Sequence, residues 1–194
     1  MTLEGDEVAG MTGTWPRGTL PDNIQLADDC FIENKQAFGH FRSEQNPGLI
    51  IGPGVRIFTW TAFNVEPTGM IEVGEGSTIV GATFMCAKRI SVGKNVVISY
   101  DVTIADSDFH PLDPEARIRD AVANAPHGDR SQRPPFVAEA VEIGDGAQIG
   151  IGAIVLKGVR IGRDARVAPG SIVTRDVPAG AVVEGNPARP VDRP

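Results

Sequence analysis

The sequence predicts an all-β chain wound as a parallel β-solenoid, in which a six-residue unit of strand and turn is repeated and stacked. Two observations carry that prediction. From Ile143 onward the apolar residues Ile143, Ile149, Val155, Ile161, Val167 and Val173 fall six apart without a slip. Four positions after each stand Ala147, Ala153, Val159, Ala165, Ser171 and Val177, all small or β-branched. A period of six fits neither a helix nor a simple alternating strand. It fits short strands separated by turns, each strand sending one side chain into a narrow prism. Three such units, about eighteen residues, close one coil, and coils stack by parallel backbone pairing at about 4.8 Å.

The same register runs upstream with offsets. Leu26, Ile32 and Phe38 form a weak first set, followed by Ile51, Ile57 and Phe63, then Val73, Ile79 and Met85, then Val92, Ile98 and Ile104. Six coils result: 26–43, 51–68, 73–90, 92–109, 143–160 and 161–178. Extra residues around 43–50 and 69–72 and near Ser91 read as bulges at corners. Residues 1–23 are expected to be an arm pinned at most by Trp15 or Leu20, and 24–178 the solenoid domain. Residues 110–142 break the period with a charged, proline-studded stretch, which as a loop of this length is either functional or disordered. In the tail, 179–194, Pro187 and Pro190 are expected to stop further strand pairing.

Composition narrows the function. A length of 194 residues supports one domain with a substantial interior, and no apolar run approaches the length that crosses a bilayer. The N-terminus lacks the pattern of an export signal, and two cysteines, Cys30 and Cys86, are too few for a disulfide scaffold, so a reducing cytoplasm is expected. A net charge of −7 argues against a general nucleic-acid partner. That charge is uneven: residues 143–194 hold 7 Lys/Arg against 5 Asp/Glu, while residues 1–142 hold 11 against 20. The locally basic C-terminal segment suits a small phosphorylated ligand, or is a chance placement of solvated charge.

The repeat stops at Thr103–Pro114, TIADSDFHPLDP. His110 stands six residues after Ile104, where the pattern expects an apolar side chain. A neutral imidazole there can take a proton from a hydroxyl or amine. Asp106 and Asp108 could orient its ring or bind acceptor hydroxyls, or be solvated corner residues. A histidine at a loop entrance with no chemical role is the plainer alternative.

Three stretches, IADSDFHPLD, IGDGAQIGIGAIVLKGVRIG and APGSIVTRDVPAGAVVEGNPAR, together with the upstream coils, cover roughly residues 24–190. In them the chain resembles the left-handed β-helix acyltransferases, in particular the branch of maltose and galactoside, xenobiotic and polysaccharide O-acetyltransferases. The resemblance implies a left-handed coil, a homotrimer with sites between adjacent prisms, and a long loop reaching over the neighbour's site. It implies acetyl-CoA or another short acyl-CoA as co-substrate, no metal, and His110 as general base. The backbone N–H of Ile151 would face the developing oxyanion. The backbone at Ala168 would run along the pantetheine arm, Thr174 and Arg175 would contact phosphate, and Arg189 would lie near the nucleotide. Gln148 stands where relatives commonly carry Trp. Asn64, Met85, Asp106 and Asp108 are the candidates for the acceptor side, although Met85 also fits the core, and Cys86 is an alternative nucleophile.

The expected acceptor is a small molecule, most simply a carbohydrate hydroxyl, with no membrane partner. An N-acetyltransferase for an amino sugar or antibiotic is the alternative. A non-catalytic β-helix scaffold and a γ-carbonic-anhydrase-like zinc protein are the further ones. The zinc reading needs three histidine ligands, two of them five residues apart, and no pair among His40, His110 and His127 has that spacing. A serine acetyltransferase would carry a helical N-terminal domain, for which the residues before Leu26 are too few.

Overall fold

The computed structural model describes residues 20–192. The expected arm lies outside the described residues up to position 19; Leu20 packs against the core. From there the chain winds a parallel β-helix of triangular section, one sheet to each side. The first sheet has six strands, Ile24–Leu26, Leu49–Ile51, Met70–Val73, Arg89–Val92, Val141–Ile143 and Arg160–Ile161. The second begins at Phe31–Ile32 and has eight strands, and the third runs from Ala62–Val65 to Ile172–Val173 in five. Successive coils therefore stack as the period requires, and the six coils are present. An isolated bridge from Ile161 to Val177 begins a partial seventh.

The inward residues form columns. Leu26, Ile51, Val73, Val92, Ile143 and Ile161 pair in register along the first sheet. Ile32, Ile57, Ile79, Ile98, Ile149, Val167 and Val183 do so along the second. In the third the column is Phe63, Phe84, Ile104, Val155 and Val173. Here the expectation for Met85 needs correction. Phe84, not Met85, points inward, because the corner before it is one residue shorter than the period assumes, and a one-residue shift turns a side chain to the other face. Phe84 is fully buried, while Met85 is half-buried on the outer face beside Asn64 and Ala105.

Each unit sends in two side chains rather than one. Ala147, Ala153, Val159, Ala165 and Ser171 are buried alongside the leading residues, so the second row of the repeat lies in the wall just before each strand's inward aliphatic. The turns explain the glycines. A Cβ on Gly150 would come 2.6 Å from the backbone N of Pro169 in the next coil, closer than backbone pairing allows. Gly146 occupies the left-handed region at φ 70°, where glycine is unstrained.

Two expectations about the chain's irregular parts are corrected. The 110–142 insertion is not all loop: Pro114–Asn124 is a helix, α1. Asp113 caps it by accepting from the backbone N–H of Ala116 at 2.7 Å, and Pro114 starts its first turn, a standard initiation. The tail does not end the pairing. Val182–Gly185 adds in parallel to Arg166–Val167, and Ala188–Pro190 folds back antiparallel upon it. Pro187 falls in the turn between these two strands, and Pro190 lies on the outermost strand, where a missing donor is tolerated.

Phe38, Phe63 and Phe84 stack through the lower coils at centroid distances of 5.7 and 5.0 Å. Replacing the middle ring leaves a cavity the rigid columns cannot close. Phe63→Ala is expected to cost about 3–5 kcal/mol in denaturant unfolding, and Met85→Ala less than half as much.

Candidate active site

The third sheet delivers the chain to the site. After Thr103–Ala105 the backbone turns at the edge between the third and first sheets and leaves the prism. Phe109 sits at φ 62°, a left-handed conformation that costs an aromatic residue roughly 1–2 kcal/mol. The turn is closed by the His110 N–H donating to the Asp108 carbonyl at 2.7 Å, and the Phe109 carbonyl accepts from the Arg133 guanidinium at 3.1 Å. The strained turn throws the His110 side chain outward, half exposed, while Pro111 beside it is buried.

Helix α1 then returns a carboxylate to the histidine. Asp120 is fully buried, and its Oδ2 lies 2.5 Å from His110 Nδ1. Its Oδ1 accepts from Arg133 Nε at 2.8 Å. Arg133 Nη1 lies 2.8 Å from Glu66 Oε2, and Arg130 meets the other Glu66 oxygen at 3.0 Å. Glu66 belongs to the second coil, so the insertion is tied to the prism through a chain Glu66–Arg133–Asp120–His110. Phe136 covers the Arg133 guanidinium at 4.9 Å. Burial by itself would raise the Asp120 pKa. The hydrogen bonds from Arg133 and His110 and the Arg133 charge outweigh that, and hold the carboxyl below its usual value. An ionised carboxylate can only accept, so Nδ1 carries the proton of the neutral ring and Nε2 is left with its lone pair.

His110 opens on a cleft of about 440 Å³ that runs down the third sheet toward the first coils. Asn64, His40 and Arg42 line its floor, and Glu66, Arg130 and Arg133 line one wall. Of the acceptor-side candidates, Asn64 is therefore in the cleft with His110. Asp106 is not a contact for an acceptor. It is fully buried and accepts from the backbone N–H groups of Ala87, Lys88 and Arg89 at 2.7, 2.7 and 2.8 Å. This carboxylate caps the corner of the coil beneath, and three charge-assisted bonds offset its desolvation. Asp108 is held by Lys157 Nζ at 2.5 Å and orients neither the ring nor the cleft. Met85 also stays outside the cleft lining.

The residues expected around the acyl donor are spread over other parts of the prism. Gln148 and Ala168 line a groove of about 490 Å³ on the second sheet, beside Arg166 and Ser99. Ile151 is exposed at the edge between the second and third sheets, whereas His110 is at the edge between the third and first. One chain thus does not bring the histidine and this backbone N–H together. Thr174 and Arg175 are exposed on the His110 edge two coils higher, and Arg189 is exposed on the terminal hairpin. Cys86 is fully buried; burial, then the Asp106 charge, push its thiol far up, which rules out a ready thiolate. Among the described residues no group of three or more His, Cys, Asp or Glu side chains is arranged to hold a metal ion. Sequence reasoning missed Asp120, Arg133 and Glu66.

The bacterial transferase hexapeptide (six repeats) model matches residues 140–175. Among curated proteins, none matches the chain by sequence. Among solved structures, a maltose O-acetyltransferase from Clostridium difficile 630 is 27% identical, with a TM-score of 0.55, over 74% of this chain and 68% of that one. A galactoside acetyltransferase in complex with coenzyme A is 25% identical, with a TM-score of 0.52, over 75% of this chain and 62% of that one. A hexapeptide-repeat acetyltransferase from Vibrio cholerae shares the fold at 22% identity and a TM-score of 0.57, over 80% and 76%. The fold is a left-handed β-helix like that of these hexapeptide-repeat acetyltransferases. By repeat and fold the chain is similar to a maltose O-acetyltransferase and a galactoside acetyltransferase.

Two outcomes test this description. Asp106→Ala is expected to lose about 3 kcal/mol or more of stability, since three backbone donors lose their acceptor; Asp108→Ala, only partly buried beside Lys157, loses under about 1 kcal/mol. Asp120→Asn destabilises the protein at neutral pH. The share of that loss due to the depressed carboxyl is fully present above about pH 4, the unfolded value. It fades as pH falls through the lower folded value, so the gap between the two unfolding curves should narrow at pH 3.

Proposed function

We propose that the chain transfers an acetyl group, or another short acyl group, from its CoA thioester to a hydroxyl of a carbohydrate or related small molecule. The observation that carries this reading is the His110–Asp120 pair at the mouth of the cleft. A base with one nitrogen fixed and the other facing a polar cavity is what proton removal from a hydroxyl requires. The structural likeness to a maltose O-acetyltransferase and to a coenzyme A-bound galactoside acetyltransferase supports the donor and the acceptor class.

The steps follow from the groups present. An acceptor hydroxyl in the cleft gives its proton to His110 Nε2 as its oxygen attacks the thioester carbonyl. The imidazolium that forms is stabilised by Asp120, which is already ionised and needs no reorganisation. The tetrahedral intermediate collapses to the ester, and the departing thiolate of CoA takes the proton back from Nε2. The carbonyl oxygen, negative in the intermediate, needs a donor, for which the Ile151 backbone N–H is proposed. Because Ile151 and His110 lie on different edges of one prism, that donor comes from a second copy of the chain, packed edge to edge.

A closed ring of three such copies fits a prism with three edges. Exposed apolar residues at both edges support it, with Trp60, Tyr100 and Ile151 on one and Leu112, Ile118 and Val122 near the other. The groove at Gln148 and Ala168, with Arg166 in its lining, is the proposed seat of the donor's pantetheine, and Thr174 and Arg175 on the His110 edge and Arg189 on the terminal hairpin are the proposed phosphate and nucleotide contacts.

Thiol release from acetyl-CoA in the presence of sugar acceptors measures the activity. His110→Ala is expected to lower kcat by about 10²–10⁴-fold with its fold retained, and Asp120→Asn to lower it less. Cys86→Ser should leave turnover in place. Full activity in His110→Ala would overturn the assignment, and sedimentation as a monomer would overturn the shared site.

A further inference from the structure

The charge of the cleft does not match the charge of the protein. The chain carries a net −7, yet three guanidinium groups, Arg42, Arg130 and Arg133, face the cleft against one carboxylate, Glu66. Glu66 is already used twice, by Arg130 and Arg133, and Arg133 is further committed to Asp120. Arg42 is different. Among the described residues no carboxylate lies within ion-pair distance of it; its guanidinium reaches His40 Nδ1 at 3.4 Å. It is placed by its backbone, whose N–H donates to the Val65 carbonyl at 2.9 Å on the third sheet. Burial, then repulsion from Arg130, hold its pKa below the usual arginine value, with Glu66 opposing. An anion beside Arg42 would relieve that repulsion.

Position decides which molecule would bring the anion. Arg42 lies at the end of the first coil and Asn64 on the second, whereas the histidine is delivered from the fourth. The cleft runs from His110 toward the N-terminal coils, away from the groove at Gln148 and Ala168 and from Thr174 and Arg175 in the upper coils. The donor and the cleft thus lie on opposite sides of the base. We infer that the acceptor is anionic: a sugar or related polyol bearing a carboxylate, which Arg42 engages while a hydroxyl is presented to His110 Nε2. A planar guanidinium whose backbone is tied to the third sheet suits a carboxylate through paired hydrogen bonds. Arg130 sits across the cleft, partly exposed, as a second positive charge. This inference rests on the proposed transfer to a hydroxyl and narrows its substrate.

The test compares acids with their neutral parents. Methyl glucuronide and methyl galacturonide are set against methyl glucoside and methyl galactoside, first as ligands by saturation-transfer NMR with no donor present. They are then compared as acceptors by thiol release from acetyl-CoA. Each acid is expected to bind at least tenfold tighter than its parent and to exceed it in kcat/KM by on the order of tenfold to a hundredfold. In Arg42→Ala that ratio collapses toward one while the KM for acetyl-CoA is kept, and Arg42→Lys retains part of the ratio.

Equal binding of acid and neutral glycosides, or a ratio unchanged in Arg42→Ala, overturns the proposal. A raised KM for acetyl-CoA in Arg42→Ala would assign the guanidinium to the donor's phosphates, and loss of assembly in that variant would assign it to a neighbouring copy. Either result also overturns it. Absence of thiol release with every acceptor counts against the transferase reading alone, and the NMR comparison then decides the anion site.

Discussion

Parallel pairing between coils holds only while each inward side chain sits directly over its counterpart in the coil below. That matching is the constraint behind the rest of the structure. It sets Leu or Ile over Ile over Val along the first sheet and keeps Ala147, Ala153 and Ala165 small where the walls converge. It also limits where the chain can depart from the period. A residue inserted within a strand would turn every later side chain to the wrong face, whereas a corner can lengthen without disturbing any ladder. The stretch between Thr103–Ala105 and Val141–Ile143 is such a corner, and the third sheet resumes in register above it, Ile104 against Val155.

The inserted segment is held by a different kind of force. Ile118 and Val122 of its helix are exposed, and of the helix only Asp120 and Ala123 are buried. Its position against the prism thus depends on buried polar pairing through Arg133, which touches Glu66, Asp120 and the Phe109 carbonyl together. Such a pairing is strong only when every partner is present, because removing one leaves a buried charge uncompensated. The geometry of the histidine and the attachment of the loop are therefore one problem for the protein, solved by the same guanidinium.

The sequence made the period, the six coils, the site of the insertion and the exit position of His110 readable, because all depend on spacing along the chain. What escaped depends on partners that spacing does not reveal. Arg130 and Glu66 meet across 64 positions, and within the insertion the charged run RIRDAV gives no sign that its Asp, of all its charges, faces inward. Asp106 read as an acceptor contact or a solvated corner because its three donors belong to the coil below. The helix could have been found: Asp113, Pro114 and Glu115 are a starting signal, masked by the prolines around it. Met85 was displaced by a corner one residue short, which no period can announce in advance.

The terminal hairpin bears on something other than catalysis. A stack of parallel strands presents at its last coil the same row of backbone donors and acceptors that bound every coil before it. Such a surface can in principle accept another molecule and propagate into a filament. Over the second sheet the final strand, Ala188–Pro190, runs in the opposite direction and carries a proline. An incoming copy would meet the wrong polarity and a missing donor. The reversal thus interrupts parallel stacking over that sheet.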